Sequence, residues 1–385
     1  MLDAWALDPA VVYLNHGTVG ATPRRVLEAQ QAIRDEVERQ PAKALFREFT
    51  AQVGGVPRSP SRLRAAADVV GDFVGARGAD IAFVDNATTG ANAVIASLDL
   101  EPGDEILVND HTYGAVANAA AYHARRRGAV LRTALLPYPV PTAAGCIAAI
   151  ESGIGPRTRL AIVDHVTSKS ALVLPVADIV ACCHRRRVPV LVDGAHAPGA
   201  IAVEIAALGA DWYTANLHKW AWAPRSCGFL WAAAERQRDL HPAVISWGLD
   251  QGYTHEFDWV GTKDLSMALS APAAIAYMRE LGEDLVREYN HRLAIEAAGF
   301  LTHTWGTDLT QPPTMIGTMV SFPLPPWHGA TEDDATRVRD QLLYGSSIEA
   351  QIHPGPGGLW LRISAQIYND MSDFERLERA VSAMR

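Results

Sequence analysis

The chain has 385 residues, 49% of them hydrophobic and 20% charged, with a formal net charge of −9; this describes an ordinary globular protein with room for one large domain and a smaller one. The acidic balance argues against nucleic acid or an acidic membrane as partner, because phosphate surfaces are bound by a positive field. No run reads as the roughly 18-residue apolar stretch of a membrane span, and the start, MLDAWALDPA, has an aspartate where a secretory signal would be basic, so a cytoplasmic protein is expected.

In chain order, Thr22-Pro23 reads as an N-cap and first helical residue, opening a helix with Val26, Ile33 and Val37 on one face. From about residue 80 to 230, short apolar runs alternate with helical stretches. IAFV (81–84), EILV (105–108), LAIV (160–163) and VPVLV (188–192) are continuously apolar, as strands buried on both faces are. Helix-length segments such as ADIVACCHRRR (177–187) separate them, which predicts a largely parallel sheet with right-handed crossovers. The basic clusters at 125–127 and 184–187 fall where helices end, and cations there complement the helix dipole. Towards the C-terminus, Thr331 with Asp334 and Ser372 with Glu375 read as capping boxes, with IEAQI and LWLRIS as strands between them. The expected fold is α/β, divided as an N-terminal segment (1–40) packing with the small domain, a large domain (41–268) and a smaller α+β domain (269–385). Cys146, Cys182, Cys183 and Cys227 show neither a CxxC nor a framework spacing, and HExxH is absent, so neither disulfides nor a metal site is expected.

In sheets of this kind chemistry gathers just past the carboxyl ends of strands, here Asn86, Asp110, Asp164 and Asp193. The run TANLHKWAW (214–222) places Lys219 among apolar residues and two tryptophans, an environment that disfavours an ammonium. Losing the charge by forming an imine would make the position tolerable. Taken alone, Asp193-Gly194 reads better as a simple turn. Together, a rigid acid and an enclosed lysine are the pair that pyridoxal phosphate requires, one to hold the ring nitrogen protonated and one to form the Schiff base. A phosphate would be met by Asn216, His218 and the turn NATTGAN, where the amides of Thr88, Thr89 and Gly90 open a helix; an ordinary N-cap explains that turn equally well.

The strings LNHGTVGATP (14–23), DHTYGAV (110–116), DHVTSKSALVLPV (164–176), VDGAHAPG (192–199), DWYTANLHKWAWAP (211–224), FDWVGTKD (257–264) and LRISAQIYND (361–370) occur in the order of one family. The chain resembles pyridoxal-phosphate enzymes of the class V aminotransferase fold (fold type I), and within them the isopenicillin N epimerase-like branch. The resemblance implies that Lys219 carries the cofactor and shuttles protons, that Asp193 pairs with the pyridine nitrogen, and that His196 and Ser168 approach the phenolate oxygen. Tyr113, in preference to Thr112, would cover the ring face, with His111 less defined. Thr88, Thr89, Gly90, Asn216 and His218 would hold the phosphate, with Gly261 and Thr262 completing the cup of a neighbouring subunit, so a homodimer is implied. Arg362 would capture the substrate carboxylate, and Asn15 and His16 would reach the substrate side. PRSCG (224–228) departs from the small glycine-rich loop that relatives carry after the lysine.

The reaction expected from this resemblance is epimerisation at Cα of an amino acid by way of its imine with the cofactor, which needs a second base; Tyr113, His16 and His353 are the candidates. A C–S β-lyase on a cysteine-derived substrate needs none. Transamination and a non-catalytic binding protein are further alternatives. The stretch 346–360 lacks the cysteine that a persulfide mechanism requires, and Trp220, Trp222, Trp247 and Trp259 raise the question of a bulky substrate.

Overall fold

In the computed structural model, residues 1–50 and 61–384 are described. The first strand, β1 (Val12–Tyr13), belongs to the C-terminal half of the fold. The large sheet comprises β2 (Ile81–Val84), β3 (Glu105–Asn109), β4 (Val130–Ala134), β5 (Thr158–Asp164), β6 (Val190–Asp193), β7 (Trp212–Asn216) and β8 (Gly228–Ala232). The smaller part contributes β9 (Met319–Pro323), β10 (Ile348–Glu349), β11 (Gln351–Gly355) and β12 (Gly358–Ser364).

The seven strands lie in the order β2-β8-β7-β6-β5-β3-β4. From β7 to β4 all pairings are parallel, whereas β8 runs antiparallel to both of its neighbours. The sheet is therefore mostly parallel, with the reversed strand between IAFV and the rest. Strands β2, β6, β7 and β8 are buried along their whole length, as covering helices on both faces require. Edge strand β4 is buried only at Ala134 and carries Arg132 and Thr133, so it lacks the apolar run by which its neighbours are recognised. The two basic clusters close the helices Gly114–Arg126 and Val176–Arg185.

Strands β11, β12 and β9 form an antiparallel sheet, and β1 pairs in parallel with β10. Val12 and Leu14 thus join the core of the C-terminal part, while Trp5 and Val26 join the core of the large sheet. That large core also takes in Ala271, Ala274, Ile275 and Met278, so it extends past residue 268; we propose that the division falls within the helix Glu283–Trp305.

Two helix starts differ from expectation. Pro23 is the N-cap of the helix Arg24–Arg39 rather than its first residue, and the Thr22 hydroxyl donates instead to the Ala223 carbonyl, tying the N-terminal segment to the loop after Lys219. The last helix, Met371–Ser382, is capped by Asp370 with Asp373, not by Ser372 with Glu375; Ser372 gives its amide to Asp370. The box of Thr331 and Asp334 forms as expected.

Gly90 brings the helix Ala87–Ala96 against β7, where a Cβ would lie 2.2 Å from Thr214 Oγ1. That oxygen is itself bonded to the Phe229 carbonyl and cannot easily yield. Gly90→Ala is expected to lower unfolding free energy by about 1–3 kcal/mol, measured by denaturant titration; an unchanged midpoint would show that the helix can lift off the sheet without cost.

Candidate active site

The ends of the parallel strands converge on one cavity of about 430 Å³, lined by Asn86, Thr88, Thr89, Tyr113, Asp164, Ser168, Asp193, His196, Asn216, His218 and Lys219, among others. Asp164 ends β5, Asp193 ends β6 and Asn216 ends β7, so each is aimed by a strand buried on both sides. The register pairs Asp164 directly with Asp193.

Lys219 is enclosed, with its Nζ 3.0 Å from His196 Nε2. Burial, reinforced by the Arg362 charge and opposed by Asp193, lowers its pKa to about 7. Trp220 and Trp222 are fully buried and enclose it by packing: Trp222 meets Trp5 edge-on at 5.4 Å, and Trp220 lies 4.9 Å from the His16 ring. Trp259 packs on Phe46 and Trp247 is exposed. None of the four lines the cavity: Trp220, Trp222 and Trp259 are buried packing residues, and Trp247 lies on the surface.

His196 is buried, held neutral by burial and by the neighbouring Lys219 charge. Its Nδ1 has no partner among the described residues, an unmet group in a place where polar atoms are normally satisfied. Asp193 accepts the Ala195 amide at 3.0 Å, and burial raises its pKa against that bond and the Lys219 charge. Asp164 is pushed up to about 8 by burial and by the charge on Asp193, while it accepts from Asn109 Nδ2 and the Tyr113 amide. Burial and mutual repulsion thus disfavour ionising both acids, and a cation set against Asp193 would favour its carboxylate.

At the other end of the cavity, the Asn86 side chain caps its helix by accepting the Thr89 amide, and Asn216 Oδ1 accepts the Ala87 amide. The Gly90 amide is bound to the Asn86 carbonyl. The turn meets the cavity through Asn86, Ala87, Thr88 and Thr89, and Gly90 serves the packing against β7 instead. His218 donates from Nδ1 to the Cys227 carbonyl at 3.0 Å and is lowered to about 4, first by burial and then by Lys219. A dianion placed beside it would oppose that shift.

The substrate side is organised around Arg362 on β12. Its guanidinium is buried and donates to the Ser168 carbonyl at 2.6 Å, to Asn15 Oδ1 at 3.0 Å and to the Thr18 hydroxyl at 2.8 Å. Asn15 in turn donates to Glu349 Oε1. The acceptors touching Arg362 are all neutral, and burial lowers its pKa to about 10; a buried cation in this state favours an anion beside it. Asn15 thus stands behind Arg362 and orients it. Thr18, which lines the cavity, escaped the sequence reading although it lies three residues from Asn15 in the same string.

His16 sits elsewhere than expected. Its Nε2 donates to the Lys219 carbonyl at 3.0 Å, its Nδ1 accepts from the Tyr368 hydroxyl at 2.8 Å, and it does not line the cavity. With both nitrogens engaged and its pKa lowered to about 4 by burial, it anchors the lysine backbone and is not free to act as a second base. Tyr113 lines the cavity mouth and is half-exposed. His111 bonds Ser170 Oγ at 2.6 Å and, with His353, belongs to an adjoining outer chamber. Gly261 is partly exposed and Thr262 exposed, and neither lines the cavity of its own chain. Arg225 and Ser226 are exposed, with Ser226 left-handed at φ +65°. The cysteines are buried and unpaired, and the described residues contain no cluster able to hold a metal.

Residues 21–377 match the Aminotransferase class-V family. The chain belongs to that family, whose members are pyridoxal-phosphate enzymes. Among its relatives, it is 33% identical to isopenicillin N epimerase of Streptomyces clavuligerus over 98% of this chain and 96% of that protein. It is 32% identical to a probable chloroplastic L-cysteine desulfhydrase of Arabidopsis thaliana, over 98% of this chain and 83% of the relative. Among solved structures, a cystine C–S lyase in complex with its product cysteine persulfide superposes with a TM-score of 0.80 at 22% identity, over 97% of both chains. A cysteine desulfurase of Thermococcus onnurineus gives a TM-score of 0.80 at 20% identity over 100% of this chain and 98% of that one. These structural likenesses establish the fold.

The cavity suits the cofactor on its own evidence. An enclosed amine, a carboxylate from the neighbouring strand end, a buried imidazole with an unmet nitrogen and a capped helix start all face one space. Only the uncharged amine attacks an aldehyde. Because the Lys219 amine is half uncharged near pH 7, capture of pyridoxal phosphate by apo-protein should accelerate from about pH 6 to 8 and then level off. Stopped-flow absorbance across that range checks this; a rate still rising tenfold per pH unit up to about pH 10, the behaviour of an ordinary lysine, would contradict the placement of Lys219.

Proposed function

We propose that the protein removes the Cα proton of an α-amino acid with the Lys219 amine as base, and that its principal outcome is return of a proton at Cα with inversion. The observation that carries the proposal is the buried amine with its pKa near 7 in the same cavity as Asp193 and beside Arg362. When bound there, pyridoxal phosphate supplies an electron sink for the charge left at Cα. Asp193 would hold the protonated ring nitrogen, while Ser168 and His196, through its unmatched Nδ1 or its Nε2, would approach the phenolate oxygen. Thr88, Thr89, Asn216 and His218 would receive the phosphate. Tyr113 would cover the ring at the cavity mouth, where its flat face suits stacking.

Arg362 would bind the substrate carboxylate with a geometry that lysine cannot copy, and Asn15 with Thr18 would hold the guanidinium in place. Lys219, once its nitrogen is released to the substrate side, moves the proton, and the hydrogen bond from His16 fixes the backbone from which it swings. Inversion needs a proton donor on the opposite side; Tyr113 is the group we assign, since it faces both the cavity and the outer chamber. One observation favours a second reading, C–S β-elimination: His16 is fully engaged, and elimination needs only the one base. The relatives include both an epimerase and a desulfhydrase.

We further read the chain as one half of a homodimer in which Gly261 and Thr262 complete the partner's phosphate cup, in keeping with their exposure. No described helix is long and apolar enough to cross a membrane.

Incubating holoenzyme in D₂O with a panel of L-amino acids, including S-substituted cysteines, separates the outcomes. Deuterium at Cα with inversion is expected; pyruvate and a released thiol without inversion would establish the lyase, and keto acid alone a transaminase. Arg362→Ala should weaken amino-acid binding by roughly 10²-fold or more while leaving cofactor affinity nearly unchanged. An unaltered KM would remove Arg362 from the substrate.

A further inference from the structure

Beside the cofactor cavity lies a larger chamber of about 770 Å³, and the two share Thr18, Tyr113, Ser168 and Lys219 in their walls. A side chain starting at Cα next to Lys219 would extend into it. A side chain as short as cysteine would leave most of this space to water, whereas binding sites bury most of their ligand's surface. Besides Arg362, the chamber wall carries a particular set of polar groups. Lys169 is exposed and makes no ion pair among the described residues. His353, on β11, is only 6% exposed, lines the chamber and has an Nδ1 with no partner. Gln351, two residues earlier on the same strand, adds an amide on the same face of the strand.

The charges around His353 have one sign. Arg362, Lys169, His111 and Arg339 all act on it to disfavour protonation, after burial, and no carboxylate figures among the causes. One acid, Asp110, also lines the chamber; its Oδ1 accepts the Leu136 amide and lies 3.9 Å from His111 Nε2. A buried neutral imidazole with an unmet nitrogen next to a free ammonium is arranged to receive a hydrogen-bond acceptor carrying negative charge.

We propose that this chamber is the subsite for the far end of the substrate side chain, and that it takes an extended side chain ending in a second carboxylate, held by the Lys169 ammonium with His353 and Gln351 beside it. This rests on the reading that the enzyme acts at Cα of an amino acid. It makes Lys169 and His353 determinants of specificity that do not touch the reacting atoms, and it sets cysteine itself apart from the preferred substrate.

The test compares acids with their neutral isosteres on holoenzyme: L-glutamate and its one-carbon homologue against the matching side-chain amides, with L-alanine as the short reference. Binding is read from the cofactor's absorbance change and turnover from Cα deuterium exchange. The longer acid should bind roughly tenfold more tightly than its amide, and the preference should shrink as salt is raised. Lys169→Met should abolish that preference while leaving L-alanine binding unchanged, and Lys169→Arg should restore it. His353→Leu should weaken the acid and spare L-alanine. If L-alanine binds and exchanges but acid and amide are equal, or if Lys169→Met leaves the preference intact, the subsite is wrong and the Cα chemistry stands. If no amino acid, L-alanine included, changes the absorbance or exchanges its proton, the underlying reading fails with it.

Discussion

The structure depends on keeping one lysine amine out of water without a direct ion pair. Lys219 is buried beside Asp193, yet its near neighbour is the uncharged His196 ring at 3.0 Å, and burial outweighs the attraction of the acid. An ammonium in that setting is costly. A nitrogen that can shed its proton near neutral pH is a nucleophile as well as a base. The surrounding fold enforces this: Trp220 and Trp222 seal the lysine from behind, His16 fixes its carbonyl, and Thr22 ties the N-terminal segment to Ala223. Pieces of chain some 200 residues apart thus converge on the short loop after β7.

The sheet places the opposing charge. Parallel strands end at one edge, and the register of β5 with β6 sets Asp164 against Asp193. Two carboxylates at paired strand ends and so buried do not both ionise readily; burial and the Asp193 charge push Asp164 up to about 8, and burial raises Asp193 as well. Arg362, which lines the outer chamber, has three neutral acceptors and no touching carboxylate among the described residues. The strand ends thus set two buried acids in the cavity that encloses the Lys219 amine, and β12 brings a buried guanidinium near it.

Much of this was legible in the sequence, for physical reasons. Apolar runs without alternation identified the buried strands, and inspecting the residue just past each run found Asn86, Asp164 and Asp193, which line the cavity, and Asp110 in the outer chamber. Strand β4 was not legible because its edge position leaves it polar, and β8 because its apolar run GFLWA sits close to the lysine loop with no helix between them. The antiparallel insertion of β8 is a matter of tertiary pairing that no local pattern encodes. His16 shows the limit of reading roles from a string: it is near the site, but both nitrogens are consumed in holding Lys219. Gly90 likewise sits in the phosphate-facing turn, yet its missing side chain matters for packing on Thr214. Thr18 and Lys169 lie within the strings LNHGTVGATP and DHVTSKSALVLPV, yet nothing local marks them out there, and Glu349 lies in no such string; only the folded arrangement shows what each of them touches or lines.

The most direct measurement is reduction of the holoenzyme with borohydride, followed by proteolysis and mass mapping of the pyridoxyl group. The other lysines, Lys43, Lys169 and Lys263, lie outside the cavity that holds Asp193, so the result is unambiguous. The account predicts the label on the peptide containing Lys219 alone. A label on any other lysine, or a coloured protein that reduction leaves unlabelled, would contradict it.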